Sequence, residues 1–130
     1  MCGAYGIPLA LAPWFVALVG RPGWEFRVGV ADDGRIVAAG AVYLREGTGW
    51  VGVGATLSEC RRRGAQSALL AERIEVAVAA GCTILATETG EAVGDEANPS
   101  LSNIRRCGFE QVCSRLNFAA PARGLSTIST

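Results

Sequence analysis

Arg61-Arg62-Arg63-Gly64-Ala65-Gln66-Ser67 is the densest chemical feature of this 130-residue chain. It joins a stretch that reads as a strand, ending near Leu57, to one that reads as a helix, starting at Ala65. The first N–H groups of a helix have no partner inside it, and the helix dipole gathers partial positive charge there. Glycine lets an anion come close to the main chain, and arginine grips phosphate with a two-pronged donor. A strand, a basic glycine turn and a helix together make a cradle for a pyrophosphate. The same residues also fit a plain solvated turn ahead of an amphipathic helix. They are not a Walker A loop, because no Gly-Lys-Ser/Thr follows. Nor are they a dinucleotide fingerprint, which places G-x-G-x-x-G directly after the strand.

The composition narrows the chemistry further. Acidic and basic residues balance at 12 each, every basic residue is arginine, and histidine is absent. Zero net charge supplies no global field for nucleic acid, so no nucleic-acid partner is expected. Without histidine there is no Ser-His or Cys-His nucleophile pair and no ordinary zinc site, so no metal is implied. The five cysteines (Cys2, Cys60, Cys82, Cys107, Cys113) contain no C-x-x-C pair, and their odd number fits no disulfide framework. They read as reduced thiols of a soluble, cytoplasmic protein. Ile7 to Leu18 is apolar, but Pro8 and Pro13 interrupt it and it falls short of the ~20 residues that span a bilayer. No membrane partner is expected. Leu11 to Val19 reads instead as a short core-facing helix, closed by Gly20 and Pro22.

Half of the residues are hydrophobic, enough for one domain with a buried core. That domain is placed at residues 1–120, with 121–130 as a loose tail. Alternation predicts strands over Glu25–Val30, Arg35–Leu44 and Trp50–Leu57, joined by turns at Asp32-Asp33-Gly34 and Glu46-Gly47-Thr48-Gly49. Leu70, Ile74, Ala77 and Val78 recur at helical spacing, with Glu72, Arg73 and Glu75 among them, and predict a helix over Ala65–Ala80 ended by Gly81. Thr83–Thr87 predicts a buried strand parallel to the third. Ser100 is a good N-cap for a helix ending at Cys107, and Phe109–Cys113 and Arg115–Phe118 read as a final hairpin. The class is therefore α/β with a mixed α+β sheet, in which an antiparallel meander leads to a strand–helix–strand crossover and a C-terminal hairpin.

With those elements in place, a family resemblance becomes visible. Arg61-Arg62-Arg63-Gly64-Ala65-Gln66 resembles the Arg/Gln-x-x-Gly-x-Gly/Ala motif of the GNAT superfamily of N-acetyltransferases. Asn98-Pro-Ser100 followed by Arg106-Cys-Gly108-Phe109 resembles that family's Asn-x-x-Ser…Gly-Phe segment, and the element order agrees over roughly residues 10 to 119. The resemblance implies the GNAT-like acyl-CoA N-acyltransferase fold, with acetyl-CoA as cosubstrate and a small-molecule or peptide amine that attacks the thioester directly. It implies that main-chain groups of Ala55, Thr56 and Leu57 hold the pantetheine arm. Amides of Arg62, Arg63, Gly64, Ala65, Gln66 and Ser67 would hold the pyrophosphate, and Asn98 would hydrogen-bond the pantetheine. A main-chain N–H on the third strand would polarise the thioester carbonyl, at the point where that strand splays from its parallel neighbour.

Acetylating an amine also needs a proton acceptor. With an amine pKa of about 10.4, reaching the neutral form at pH 7 costs ~4.6 kcal/mol. Glu88, between Thr87 and Thr89 at a strand end, is the first candidate base, followed by Glu91 and then Glu59. Its structural alternative is a strand-end carboxylate paired with an arginine. Three departures from the family stand out. Gln66 replaces a small residue, and its amide either bonds the phosphates or narrows the loop. Ile104 stands four residues before Gly108, where many relatives carry a tyrosine that protonates the thiolate. Eight residues precede Leu9, where relatives have a strand and a helix. That shortfall implies a partner subunit (a homodimer across an unpaired sheet edge), an open acceptor site, or a decayed relative that binds CoA or a partner without turnover. Trp14, Trp24 and Trp50 read as core or edge aromatics, Trp50 with the option of lining the acceptor pocket, and Cys107 reads as a buried thiol.

Overall fold

The computed structural model of the chain describes residues 9–91, 94, 98–116 and 118. Strands β1 (Trp24–Val30), β2 (Ile36–Arg45), β3 (Thr48–Thr56) and β4 (Ile84–Ala86) lie in that order in one sheet. The helices are α1 (Ala12–Val16), α2 (Ala65–Ala79) and α3 (Pro99–Arg106). None of the described helices is long and apolar enough to cross a membrane.

The turns dictate the meander. At the first, Asp33 Oδ1 accepts from the Arg35 N–H at 2.9 Å and Gly34 takes a φ of 82°. The second is only two residues long, with Glu46 at φ 48° and Gly47 at 77°, the twist that suits a tight hairpin. Thr48 and Gly49 are therefore the first residues of β3 rather than part of the turn. The resulting register sets Trp24 opposite Tyr43 and Tyr43 opposite Trp50, so three aromatic rings line up across the strands. α2 ends at Gly81, φ 81°, where the Cys82 N–H reaches Ala77 O and the Gly81 N–H reaches Val78 O. The crossover brings β4 parallel to β3, pairing Thr48 with Ile84, Gly49 with Leu85 and Trp50 with Ala86.

The core forms where α2 lies on β2 and β3. Val42 and Val51 are fully buried against Leu70 and Ala77, and burying each valine contributes about 1.5–3 kcal/mol. Contact is close enough to need a glycine. A Cβ on Gly49 would stand 2.7 Å from Leu85 Cδ2 and 3.1 Å from Ala77 Cβ.

Several elements differ from the sequence expectation, each for a local reason. The first helix is a 3-10 turn, Leu9–Leu11, followed by the five-residue α1, and it buries no residue. Leu11, Phe15 and Leu18 form a half-buried stripe, while Trp14, Val16 and Val19 fall on the other side in solvent. Thr83–Thr87 shrinks to the three residues of β4 and is not buried, because among the described residues β4 is an outer strand with Ile84 exposed. Asn98 caps α3 in place of Ser100. Pro99 occupies the first helical position, where its missing N–H does no harm, and Asn98 Oδ1 accepts from the Leu101 N–H at 3.1 Å. No strand forms over the described residues between Phe109 and Phe118. Phe109 packs on the core, but Val112, Leu116 and Phe118 stand exposed, since apolar alternation alone supplies no neighbouring strand to pair with. The predicted tail, 121–130, lies outside the described residues.

Gly49→Ala is expected to lower the unfolding free energy by ~1–3 kcal/mol, the usual range for overpacking. Urea denaturation of the variant measures this, and an unchanged midpoint would mean that α2 sits farther from the sheet than described.

Candidate functional site

β3 runs on to Thr56, six residues beyond its last pairing with β4 at Trp50. At the parting point the Thr87 hydroxyl donates to Val51 O at 2.7 Å in place of a ladder bond. Beyond it opens a cleft of about 190 Å³. Val51 to Gly54 form one side and Thr87 to Gly90 the other, with Gln66, Leu70 and Arg73 of α2 and Ser100, Asn103 and Ile104 of α3 between them. Gln66, Leu70 and Arg73 share one helix face because they are spaced four and three residues apart.

β3 is irregular inside this cleft. Ala41 pairs with Gly52 but Ala39 pairs with Ala55, so Val53 and Gly54 together face Gly40 in a β-bulge. Val53 has a φ of 52°, a strained value for a β-branched side chain. Under the bulge lies Arg73, only 4% exposed. Its Nε donates to Leu69 O at 2.8 Å, and its Nη1 donates to Gly52 O at 2.7 Å and to Ala41 O at 3.2 Å. Gly40 and Gly54 make room for it: their missing Cβ atoms would stand 2.8 Å from Cζ and 2.9 Å from Nη2. By sequence spacing, Arg73 belongs among the polar residues of α2 and Val78 on its apolar face. In the fold Arg73 belongs to the inner stripe Gln66-Leu70-Arg73-Ala77, and Val78 is 60% exposed. That stripe spacing, together with glycines at 40, 52 and 54 in the facing strands, was the signal available in the sequence.

The turn before α2 carries two left-handed residues, Arg62 at φ 61° and Gly64 at φ 82°. Such alternation turns successive N–H groups to one side, forming a concavity suited to anions. Among the described residues, no acceptor stands against the main-chain N–H groups of Arg62, Arg63, Gly64, Ala65, Gln66 or Ser67. Ala68 is the first to bond back, to Gly64 O at 2.9 Å. A Cβ on Gly64 would meet nothing within 4 Å among the described residues, so the space beside this glycine is open. The Gln66 side chain neither fills that space nor narrows it. It donates to Ser100 Oγ at 2.8 Å and accepts from Asn103 Nδ2 at 3.2 Å, bracing α2 against α3.

The remaining binding candidates divide. Leu57 uses both main-chain groups internally, its N–H on Val37 O and its C=O for the Cys60 N–H. Ala55 pairs with Ala39, so by strand alternation the main-chain groups of Thr56 point away from β2. Thr56 Oγ1 is also buried with no hydrogen-bond partner among the described residues. Asn98 is committed at both ends, capping α3 through Oδ1 and holding Gly90 O through Nδ2 at 2.5 Å.

Of the carboxylates, Glu88 lines the cleft and pairs with Arg115 across an exposed salt bridge. A solvated pair of this kind is worth ~0–1 kcal/mol, so it restrains the carboxylate without sequestering it. Glu91 accepts from the Ser114 hydroxyl and lies off the cleft lining. Glu59 also lies off the lining, and its carboxyl is held below the usual range. A hydrogen bond from its own main-chain N–H is the chief cause, with the Ser58 hydroxyl and Arg35 adding to it. That direction makes Glu59 a poorer proton acceptor near neutral pH. Ile104 lines the cleft where the family's tyrosine is expected, and Cys107, read as buried, is exposed. Trp50 lies over Gly52 and meets Trp24 edge-on at 6.0 Å, whereas Trp14 is 72% exposed.

Known structures share this architecture at low sequence identity. An aminoglycoside acetyltransferase from an uncultured soil metagenomic sample superimposes with a TM-score of 0.71 at 17% identity, covering 92% of this chain and 85% of its own. A Trypanosoma brucei acetyltransferase gives 0.67 at 18% identity, covering 83% and 77%. AAC(6')-Iy in complex with the bisubstrate analog CoA-S-monomethyl-acetylneamine gives 0.67 at 17%, covering 88% and 80%. No curated protein matches the chain by sequence. The sequence profile of the Acetyltransferase (GNAT) family matches residues 8–109, most of the chain and all of the elements just described, and the chain belongs to that family.

Proposed function

We propose that the chain moves an acetyl group from acetyl-CoA to the primary amine of a small molecule, by direct attack of the amine on the thioester. The observation that carries this is the run of open amides from Arg62 to Ser67, which reaches the splay of β3 and β4 at Gln66. Six amides without acceptors, a left-handed glycine with open space before it and the exposed side chains of Arg62 and Arg63 suit a diphosphate. At the edge of β3 beyond the cleft lining, the main-chain groups of Thr56, which point away from β2, suit the amide groups of a pantetheine arm. Ala55 and Leu57 support that strand through their bonds to β2 rather than by contact, and Asn98 acts by fixing α3 and the Gly90 loop.

In the reaction, the amine nitrogen forms a bond to the thioester carbonyl carbon, the carbon–sulfur bond breaks, and the sulfur leaves as thiolate. The ammonium proton passes to the Glu88 carboxylate, directly or through water. A thiolate with a pKa of about 8.5 departs readily near neutral pH and can take its proton from water, so Ile104 does not block turnover. The acceptor is read as a small-molecule amine because the named structural neighbours include aminoglycoside acetyltransferases, and because Glu88, Thr87 and Thr89 give the cleft rim anionic and hydroxyl character. Use of acetyl-CoA together with free thiols fits a cytoplasmic protein. A second reading, a module that binds CoA without turnover, draws on Ile104 in the tyrosine's place and on the Glu88–Arg115 pair.

Calorimetric titration is expected to show CoA binding that inorganic pyrophosphate competes for only weakly. Gly64→Val, which cannot hold φ 82° without strain, is expected to weaken that binding ~10-fold or more. Wild-type affinity in this variant would remove the cradle. Glu88→Gln is expected to leave CoA affinity intact and to slow amine-dependent thiol release ~100-fold near pH 7. The deficit should shrink toward the amine pKa of about 10.4, where the free base no longer needs an acceptor. An unchanged rate places the base elsewhere. Binding without thiol release across aminoglycosides, polyamines and peptides decides for the second reading.

A further inference from the structure

The bulge in β3 is strained, and a buried cation sits beneath it. We propose that Arg73 is a positioning residue for the thioester, fixing the direction in which the bulge presents the Val53 N–H. This rests on the acetyltransferase reading above and names a residue that the motif does not include.

The geometry runs through one peptide plane. Gly52 C=O and Val53 N–H belong to the same trans peptide unit and point in opposite directions. Arg73 Nη1 holds Gly52 O at 2.7 Å, so pinning the oxygen beneath the strand also fixes the N–H on its far side. The same nitrogen holds Ala41 O at 3.2 Å, the residue that Gly52 faces across β2, while Nε is anchored on its own helix at Leu69 O, 2.8 Å away. One rigid, planar group thus ties α2 to both strands at the point where the register slips. Val53 holds a φ of 52°, a conformation that persists only where its surroundings impose it. Gly40 and Gly54 are the accommodation, since a methyl group at either would collide with the guanidinium. Val53, Gly54 and Arg73 all line the cleft between β3 and β4.

A structural clasp alone would change stability. A positioning residue also changes how strongly the bound thioester carbonyl is polarised. The test is a carbon-13 spectrum of acetyl-CoA labelled at the thioester carbonyl, bound to the intact protein without amine. In the wild type the carbonyl resonance is expected to move downfield on binding. In Arg73→Met it should return most of the way to the free value while CoA is still bound, with thiol release to a fixed amine falling ~100-fold. Arg73→Lys, which can reach one carbonyl but cannot bridge two, should fall between. Gly40→Ala displaces the guanidinium while keeping its charge, and should reproduce the Met spectrum even if Arg73→Met fails to fold. Wild-type carbonyl shifts in Gly40→Ala, or in a folded Arg73→Met, overturn the proposal. So does a wild type that binds acetyl-CoA with no shift. A wild type that does not bind acetyl-CoA overturns the acetyltransferase reading itself, and this inference with it.

Discussion

β3 is bonded to strands on both sides for three residues, from Thr48 to Trp50, and to β2 alone thereafter. The layout of the cleft depends on that loss of one partner. A strand with one unbonded edge presents main-chain donors and acceptors at fixed intervals, and a ligand with amide groups of its own can take them up as a missing strand would. The parting is built in chemically. Thr87 puts a hydroxyl on Val51 O where the next ladder bond belongs, and β4 ends at Ala86. The two edges then diverge around a cleft that runs from the bulge toward the first turn of α2.

Positive charge is arranged around this cleft at two depths. Arg62 and Arg63 are exposed and beside the open amides, and among the described residues neither side chain is held by an internal bond. Arg73 is buried, and its three named bonds go to main-chain carbonyls. Solvent screens the outer pair. The inner guanidinium is held in place by geometry, and it orients the main chain around it. Gln66 lies between the two, its amide spent on Ser100 and Asn103, which ties the helix ends together.

Much of this was readable from residue types. Asp33-Gly34 and Glu46-Gly47 fix their hairpins locally, Gly81 stops α2 within a residue of the predicted end, and the parallel partner of β3 lies where the crossover pattern put it. The turn ahead of α2 was readable too, as arginines and a glycine before a helix. What escaped turned partly on a few neighbouring residues and partly on whether a partner strand lies alongside. The apolar N-terminal stretch became an exposed short helix because α1 has only five residues to form a stripe. Phe109 to Phe118 alternates without a strand to lie beside. Ser100 lost the cap to Asn98 because Pro99 took the first helical position.

By itself, the sequence determined the order of the elements and the turns that join them. It also determined the chemical character of the loop before α2, since glycine conformations and unpaired helix amides are properties of a few neighbouring residues. It pointed to the family as well, through the Arg61–Gln66 motif, the segment from Asn98 to Phe109 and the order of the elements. Only the tertiary structure decided that Arg73 turns inward, that Asn98 and Gln66 are structural ties, and that Thr56 is left with a buried hydroxyl that has no partner among the described residues. These depend on which side of β3 loses its partner and on the register slip at Gly40. Such register is set by packing across the sheet, between residues that no short window of sequence brings together.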